Sequence, residues 1–199
     1  MARTDTPCNR RADHLPALLL LLCSSAVILF AGCTGMNVVD FESGRPLLDP
    51  TQYFTGETSS SGVLENRDGA PKEPVTTQTV GRWVDGTLLL EQELQIGGKK
   101  QHRSWRIRKL DANHFEATAN DMVGTARGEA RGNVFHWSFT LALSPGNPLS
   151  RVQMSQWMHL QPDGKALLNH STIRKFGIVV AQVTEVFQRK EKPSWGPGR

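Results

Sequence analysis

Val134-Phe135-His136-Trp137-Ser138-Phe139-Thr140-Leu141-Ala142-Leu143 is the stretch that decides the architecture. Phe135, Trp137, Phe139, Leu141 and Leu143 fall on one parity, opposed by Val134, His136, Ser138, Thr140 and Ala142. Side chains of an extended chain point alternately to opposite faces, so this is a strand with one buried face and one wetter face. A helix would scatter the same aromatic residues around its circumference.

The same period recurs on both sides. Leu88, Leu90, Leu94 and Ile96 share a parity with Gln92, and Gly97-Gly98 turns the chain into Arg103-Trp105-Ile107. Downstream, Val152, Met154, Met158 and Leu160 enclose Gln156, Pro162-Asp163-Gly164 makes a turn into Leu167-Leu168-Asn169, and a β-branched strand runs from Ile178 to Phe187. About nine or ten such segments predict one all-β domain over residues 53–188, a single antiparallel up-and-down barrel, with a two-sheet sandwich as the alternative. Within it Gly124, Ala126, Gly128, Ala130 and Gly132 occupy every second position. Such a bare face is either filled by bulky Trp residues from facing strands or left open as a groove.

The N-terminus has a different character. Arg3, Arg10 and Arg11 precede an apolar run, Ala17 to Phe30, that is shorter than the roughly 20 residues of a membrane-spanning helix. The run ends at Phe30-Ala31-Gly32-Cys33, which resembles the bacterial lipobox, with Phe30 in place of the usual Leu. The expectation is a signal peptide over 1–32, acylation of Cys33, and a Pro- and Gly-containing tether over 33–52. An uncleaved N-terminal anchor is the alternative. Thr34 rather than Asp follows the cysteine, which in a Gram-negative lipoprotein implies passage to the outer membrane, facing the periplasm. Cys8 and Cys23 lie in the removed segment, so the mature chain could form no internal disulfide.

Residues 1–32 hold three Arg and two Asp, so a mature chain of 167 residues would carry 20 basic and 17 acidic residues, a net charge of +3. That mild excess is spread around one hairpin and does not make the basic face of a nucleic-acid binder. The histidines lack ligand spacing and no Gly-x-Ser-x-Gly elbow or phosphate loop is present, so no metal, cofactor or catalytic site is expected. Ser59-Ser60-Ser61-Gly62 reads as a turn or loop, and Glu91 and Glu93 as solvated surface. Residues 189–199, with Pro193, Gly196, Pro197 and Gly198, read as a frayed tail.

Asn120-Asp121-Met122-Val123-Gly124-Thr125-Ala126-Arg127-Gly128-Glu129-Ala130-Arg131-Gly132-Asn133 resembles the signature of an uncharacterised family of bacterial lipoproteins bearing a domain of unknown function. Tyr53-Phe54-x-Gly56, Gly81-x-Trp83, Arg103-x-Trp105, Trp157-Met158 and Lys175-Phe176-Gly177 extend the resemblance over nearly the whole mature chain. It implies a lipocalin-like barrel in the envelope and brings no established reaction. It also implies a buried Arg paired with carboxylates, whereas this chain has Gln92 and Gln156 where acidic residues are expected. Arg103, on the inward parity with Trp105, would then need other acceptors such as the Gln and Asn169 carbonyls, solvent, or an anionic ligand.

Two functions follow from these residues. In the first, a membrane-anchored barrel binds or shuttles a fatty-acyl, phospholipid or other apolar ligand, with Trp83, Trp105 and Trp137 lining its interior and Arg103, Gln92, Gln156 and Asn169 meeting the polar end. Trp157 joins them only if a bulge shifts its register. In the second, a non-catalytic interaction module with a filled core supports an envelope assembly. Cavity volume separates the two, since ligand pockets usually run to about 300–1,000 Å³.

Overall fold

The computed structural model describes residues 35–144 and 146–190. The expected signal segment, Cys33 and most of the expected tail lie outside the described residues. Ten antiparallel strands follow one another: β1 (Gly56–Asn66), β2 (Pro71–Val84), β3 (Thr87–Ile96), β4 (Lys99–Lys109), β5 (His114–Ala119), β6 (Met122–Arg131), β7 (Val134–Ala142), β8 (Arg151–Leu160), β9 (Ala166–Lys175) and β10 (Ile178–Arg189). Each pairs with its neighbour in sequence, and β1 pairs with β10 from Thr58↔Arg189 to Asn66↔Ala181, so the sheet closes into a barrel. Closure gives each of these strands two neighbours, so the sheet has no edge strand to attract another chain.

Turn chemistry sets the register. Asp85-Gly86 and Gly97-Gly98 are two-residue loops with both residues at positive φ, the twist that suits a tight hairpin. The alternation read from β7 holds from Phe135 to Leu141: Phe135, Trp137, Phe139 and Leu141 are buried, while Val134, expected on the wetter face, is buried as well and Leu143 lies beyond the strand end and is exposed. Ser59-Ser60-Ser61-Gly62 is not a loop but the middle of β1, with Ser60 buried in the lumen. β10 reaches Arg189, and Lys190 N–H still donates to the Glu57 carbonyl, so ordered structure extends past the expected start of the tail.

The bare face of β6 has three different explanations along its length. At Gly128 an added Cβ would lie 2.5 Å from the Phe135 ring and 2.9 Å from Trp137 Cβ, so side chains of the adjacent strand β7, rather than facing strands, fill the space. Near Gly124 the β6–β7 register shifts between Val123 and Arg127, and the glycine takes φ +74° in open space. Gly132, at φ +54°, turns the chain directly beneath the Phe41 carbonyl.

Residues 37–52, expected to be a tether, belong to the folded body. Asn37 caps a 3-10 turn, Val38–Phe41, and Asp49 caps a one-turn helix α1 (Pro50–Tyr53), with Pro50 at its first position. Leu48, Tyr53 and Phe54 are buried and plug one end of the barrel. Leu48 N–H donates to the Gly132 carbonyl (2.8 Å), and Asp49 pairs with Lys109 at the end of β4 (2.6 Å). The Tyr53 hydroxyl donates between the carbonyls of Lys165 (2.7 Å) and Phe187 (3.0 Å), and its burial pushes the phenol pKa up to about 12.

Gly81 of β2 makes a contact as tight as that of Gly132, because a Cβ there would sit 1.9 Å from the Phe54 carbonyl oxygen. Gly81→Ala must therefore lift the plug, and is expected to cost about 1–3 kcal/mol in urea unfolding, the usual range for overpacking. An unchanged midpoint would mean that the plug is not seated on β2.

Candidate functional site

The lumen has two unlike sides. β5 to β8 contribute aromatic and aliphatic side chains, while β1, β2, β9 and β10 bring inward the buried polar residues Thr58, Ser60, Thr77, Thr79, Asn169, Ser171 and Glu185. Between the two sides runs a cavity of about 60 Å³. Its walls extend from Pro50 and Phe54 of the plug to Leu94 and Arg103 toward the other rim, so it is narrow and long. A few waters would fit, but a drug-sized molecule would not.

Trp105 of β4 and Trp137 of β7 stack across it, with centroids 4.8 Å apart and planes at 27°. Each indole N–H donates to a glutamine carbonyl, Trp105 to Gln92 (2.8 Å) and Trp137 to Gln156 (2.6 Å). Each amide then donates onward from Nε2, Gln92 to Thr79 Oγ1 (3.2 Å) and Gln156 to Ser171 Oγ (2.8 Å). An amide can accept and donate at once, whereas an ionised carboxylate can only accept. The two glutamines thus complete the hydrogen-bond chains without a charge, whereas glutamates in the same places would have to accept from the Thr79 and Ser171 hydroxyls and bury their charge.

Arg103 has a carboxylate partner after all. Its Nε lies 2.9 and 2.8 Å from the two Asp121 oxygens and its Nη2 lies 2.8 Å from Oδ2, and the guanidinium also sits 5.7 Å from the centre of the Trp105 ring. Asp121 comes from the β5–β6 turn, just beyond the Trp105↔Ala119 pair of β4 and β5, so the expectation of neutral-amide partners is corrected. The second carboxylate, Glu185 on β10, is only 7% exposed. It accepts from Ser60 Oγ (2.8 Å) and from Asn169 Nδ2 (3.1 Å). Burial pushes its pKa above the ordinary carboxylate value, against the opposing pull of those two hydrogen bonds and of Arg103. Asn169 Oδ1 has no hydrogen-bond partner among the described residues, a deficit typically worth about 1–3 kcal/mol.

Of the residues singled out from sequence, Arg103, Gln92, Gln156, Trp105 and Trp137 line this cavity. Asn169 stands one layer behind, bonded to Glu185 and Ser171. Trp83 does not join them: it lies at the plugged end and is 45% exposed, since Phe54 covers β2 at Gly81 before the strand ends. Trp157 points outward and stacks on His136 at 4.2 Å, so no bulge brings it inside. Glu185, Asp121 and Thr77 were missed. Glu185 shares its parity with Val183 and Phe187, a signal available in the sequence.

On the outer face, His102 Nδ1 lies 2.7 Å from Glu93 and Nε2 lies 3.0 Å from Ser104 Oγ, the outline of a nucleophile–base–acid set. The Ser104 proton goes to Glu91 (2.6 Å) and its backbone N–H to Asn120 (2.9 Å), so neither the base nor an oxyanion is served. The cluster instead holds the His102 pKa above its usual value, first through the Glu93 hydrogen bond.

Glu185 makes the stability of the barrel depend on pH in a definite direction. Its carboxyl binds a proton in the folded state at pH values where an unfolded chain has released it, so stability falls as pH rises above about 4.5 through the raised pKa. Glu185→Gln is expected to melt above wild type at pH 8, with the gap closing toward pH 5. A constant gap would mean that Glu185 does not titrate in this way.

Residues 27–189 match the model of a family described as Protein of unknown function (DUF3833). No curated protein sequence matches the chain. Among solved structures, an S-type phycobiliprotein lyase from Guillardia theta is similar, with a TM-score of 0.53 at 11% identity, over 76% of this chain and 99% of the lyase. That likeness is one of fold, a lipocalin-like barrel. The match to the family model covers the barrel from end to end, and the chain belongs to the DUF3833 family of proteins of unknown function.

Proposed function

We propose that this protein is a lipid-anchored component of the cell envelope whose barrel holds one slender, acyl-containing molecule. The observation that carries this reading is the shape and lining of the cavity: an aromatic-walled crevice, closed by Phe54 and Phe187 at one end and reached by the Arg103 guanidinium toward the other. At about 60 Å³ the space takes a linear chain only as the Trp105–Trp137 stack and its neighbours move apart, and an anionic end group would share the Arg103 guanidinium with Asp121. The buried carboxyl of Glu185 and the two Trp–Gln pairs supply polar contacts along the way. The same architecture occurs in a phycobiliprotein lyase, so barrels of this shape serve more than one task.

The lipobox resemblance at Phe30-Ala31-Gly32-Cys33 supports acylation of Cys33, and Thr34 supports an outer-membrane address facing the periplasm. Several acyl chains would hold such a protein essentially permanently. A second reading is favoured by the volume of about 60 Å³ and by the satisfied glutamines: a filled barrel that acts as an interaction module in an envelope assembly.

Native mass spectrometry of the full-length protein, extracted in mild detergent and offered a mixture of cell lipids, separates the two. The expected result is one non-covalently retained acyl species. Arg103→Met with Asp121→Asn should lose it by at least tenfold while keeping its far-UV spectrum, because removing both partners avoids stranding a charge. No retained lipid in either protein would favour the filled module. Separately, Cys33→Ala should shift the protein from the membrane to the soluble fraction, and persistent membrane attachment would instead favour the uncleaved anchor.

A further inference from the structure

The rim opposite the plug carries long apolar side chains on two neighbouring loops. Leu143 and Leu149 flank the β7–β8 connection, and Phe176 and Ile178 form the tip of the β9–β10 hairpin, each about two-thirds exposed or more. β8 pairs with β9, with Gln153 opposite Arg174, which sets the two loops side by side. Residues 143–151 and 174–180 contain Arg151, Arg174 and Lys175 and no acidic residue. None of these three cations has an ion-pair partner among the described residues, and Lys175 lies 5.8 Å from the centre of the Phe176 ring.

Phe176 is the informative residue. It holds φ +51° in a two-residue turn with Gly177, a position that Asn or Gly fills without strain and that a bulky side chain rarely takes. At 79% exposure it gains almost nothing from the barrel in return. Residues kept in strained backbone with no folding benefit mark functional tips.

We infer that this rim is a membrane-docking face, in which the tips of the β7–β8 and β9–β10 loops enter the headgroup boundary of an anionic phospholipid surface. Phe176, Ile178, Leu143 and Leu149 insert, while Arg151, Arg174 and Lys175 pair with phosphate groups beside them. Apolar tips ringed by cations are the combination that binds a charged interface and not a neutral one. The inference stands apart from the ligand and from Cys33, because none of the residues it names lines the cavity and it does not involve the acylated cysteine.

Hydrogen exchange of the full-length protein read peptide by peptide provides the test, since it reports on the loops whatever else holds the protein to lipid. Vesicles of phosphatidylglycerol with phosphatidylethanolamine should slow exchange in 143–151 and 174–180 several-fold relative to phosphatidylcholine vesicles, and added salt should reverse part of it. Phe176→Asn with Ile178→Ser should erase the protection without slowing or speeding exchange in β3 to β7. Phe176→Asn alone should melt at or above wild type, because Asn suits the turn. Equal exchange on the two lipids, or protection that needs a second protein, would overturn the assignment.

Discussion

Closing β1 onto β10 makes ten inward faces share one lumen, and most of the interior follows from that closure. Eight strands enclose a space that ordinary side chains just fill. Ten strands enclose more, so the lumen needs a stack of two tryptophans, phenylalanines from β5 and β7, and a plug borrowed from outside the sheet. Where the rings come closest, β6 gives up its side chains, and Gly128 sits against the Phe135 ring. What remains between the aromatic side and the polar side is the narrow crevice that ends on Phe54.

The polar side asks for a separate account. Replacing buried charges and amides by apolar residues of similar size is often neutral or stabilising. This lumen nevertheless holds an ion pair, two glutamines and a carboxyl whose burial works against its ionisation. Each group is tied to another from a different strand: Gln156 links β7 to β9, Glu185 links β1 to β9, and Arg103 links β4 to the β5–β6 turn. Such a set fixes the position of donors and acceptors around the crevice more sharply than packing alone would.

Strands with apolar inward faces were legible from the chain alone, because alternation in β3, β7 and β8 writes their orientation directly into the sequence. The strands of the polar side were less so. β1 turns Thr58 and Ser60 inward, and a run of serines with no apolar stripe looks like a loop. The plug was legible only in part: Tyr53 and Phe54 could be placed at the start of the domain, but Leu48 has no period, and the prolines and glycine among its neighbours read as a linker. Gln92, Gln156 and Arg103 could be placed inside by parity, but the partner of Arg103 depended on the register of β4 against β5, which sets Asp121 of the following turn beside it. Pairwise geometry of that sort is not local, and no single segment records it.

The plug is made from residues that precede every strand, yet two of the groups that receive it, the Lys165 and Phe187 carbonyls, belong to the last quarter of the chain. During synthesis from the N-terminus, Tyr53 must wait for nearly the entire barrel before its hydroxyl has an acceptor, and β1 waits equally long for β10. Seam and plug therefore both depend on contacts that form late in synthesis, which is a topology of high contact order. A chain that stops before Phe187 lacks one of the two Tyr53 acceptors and the seam pairs from Thr58↔Arg189 to Ser60↔Phe187.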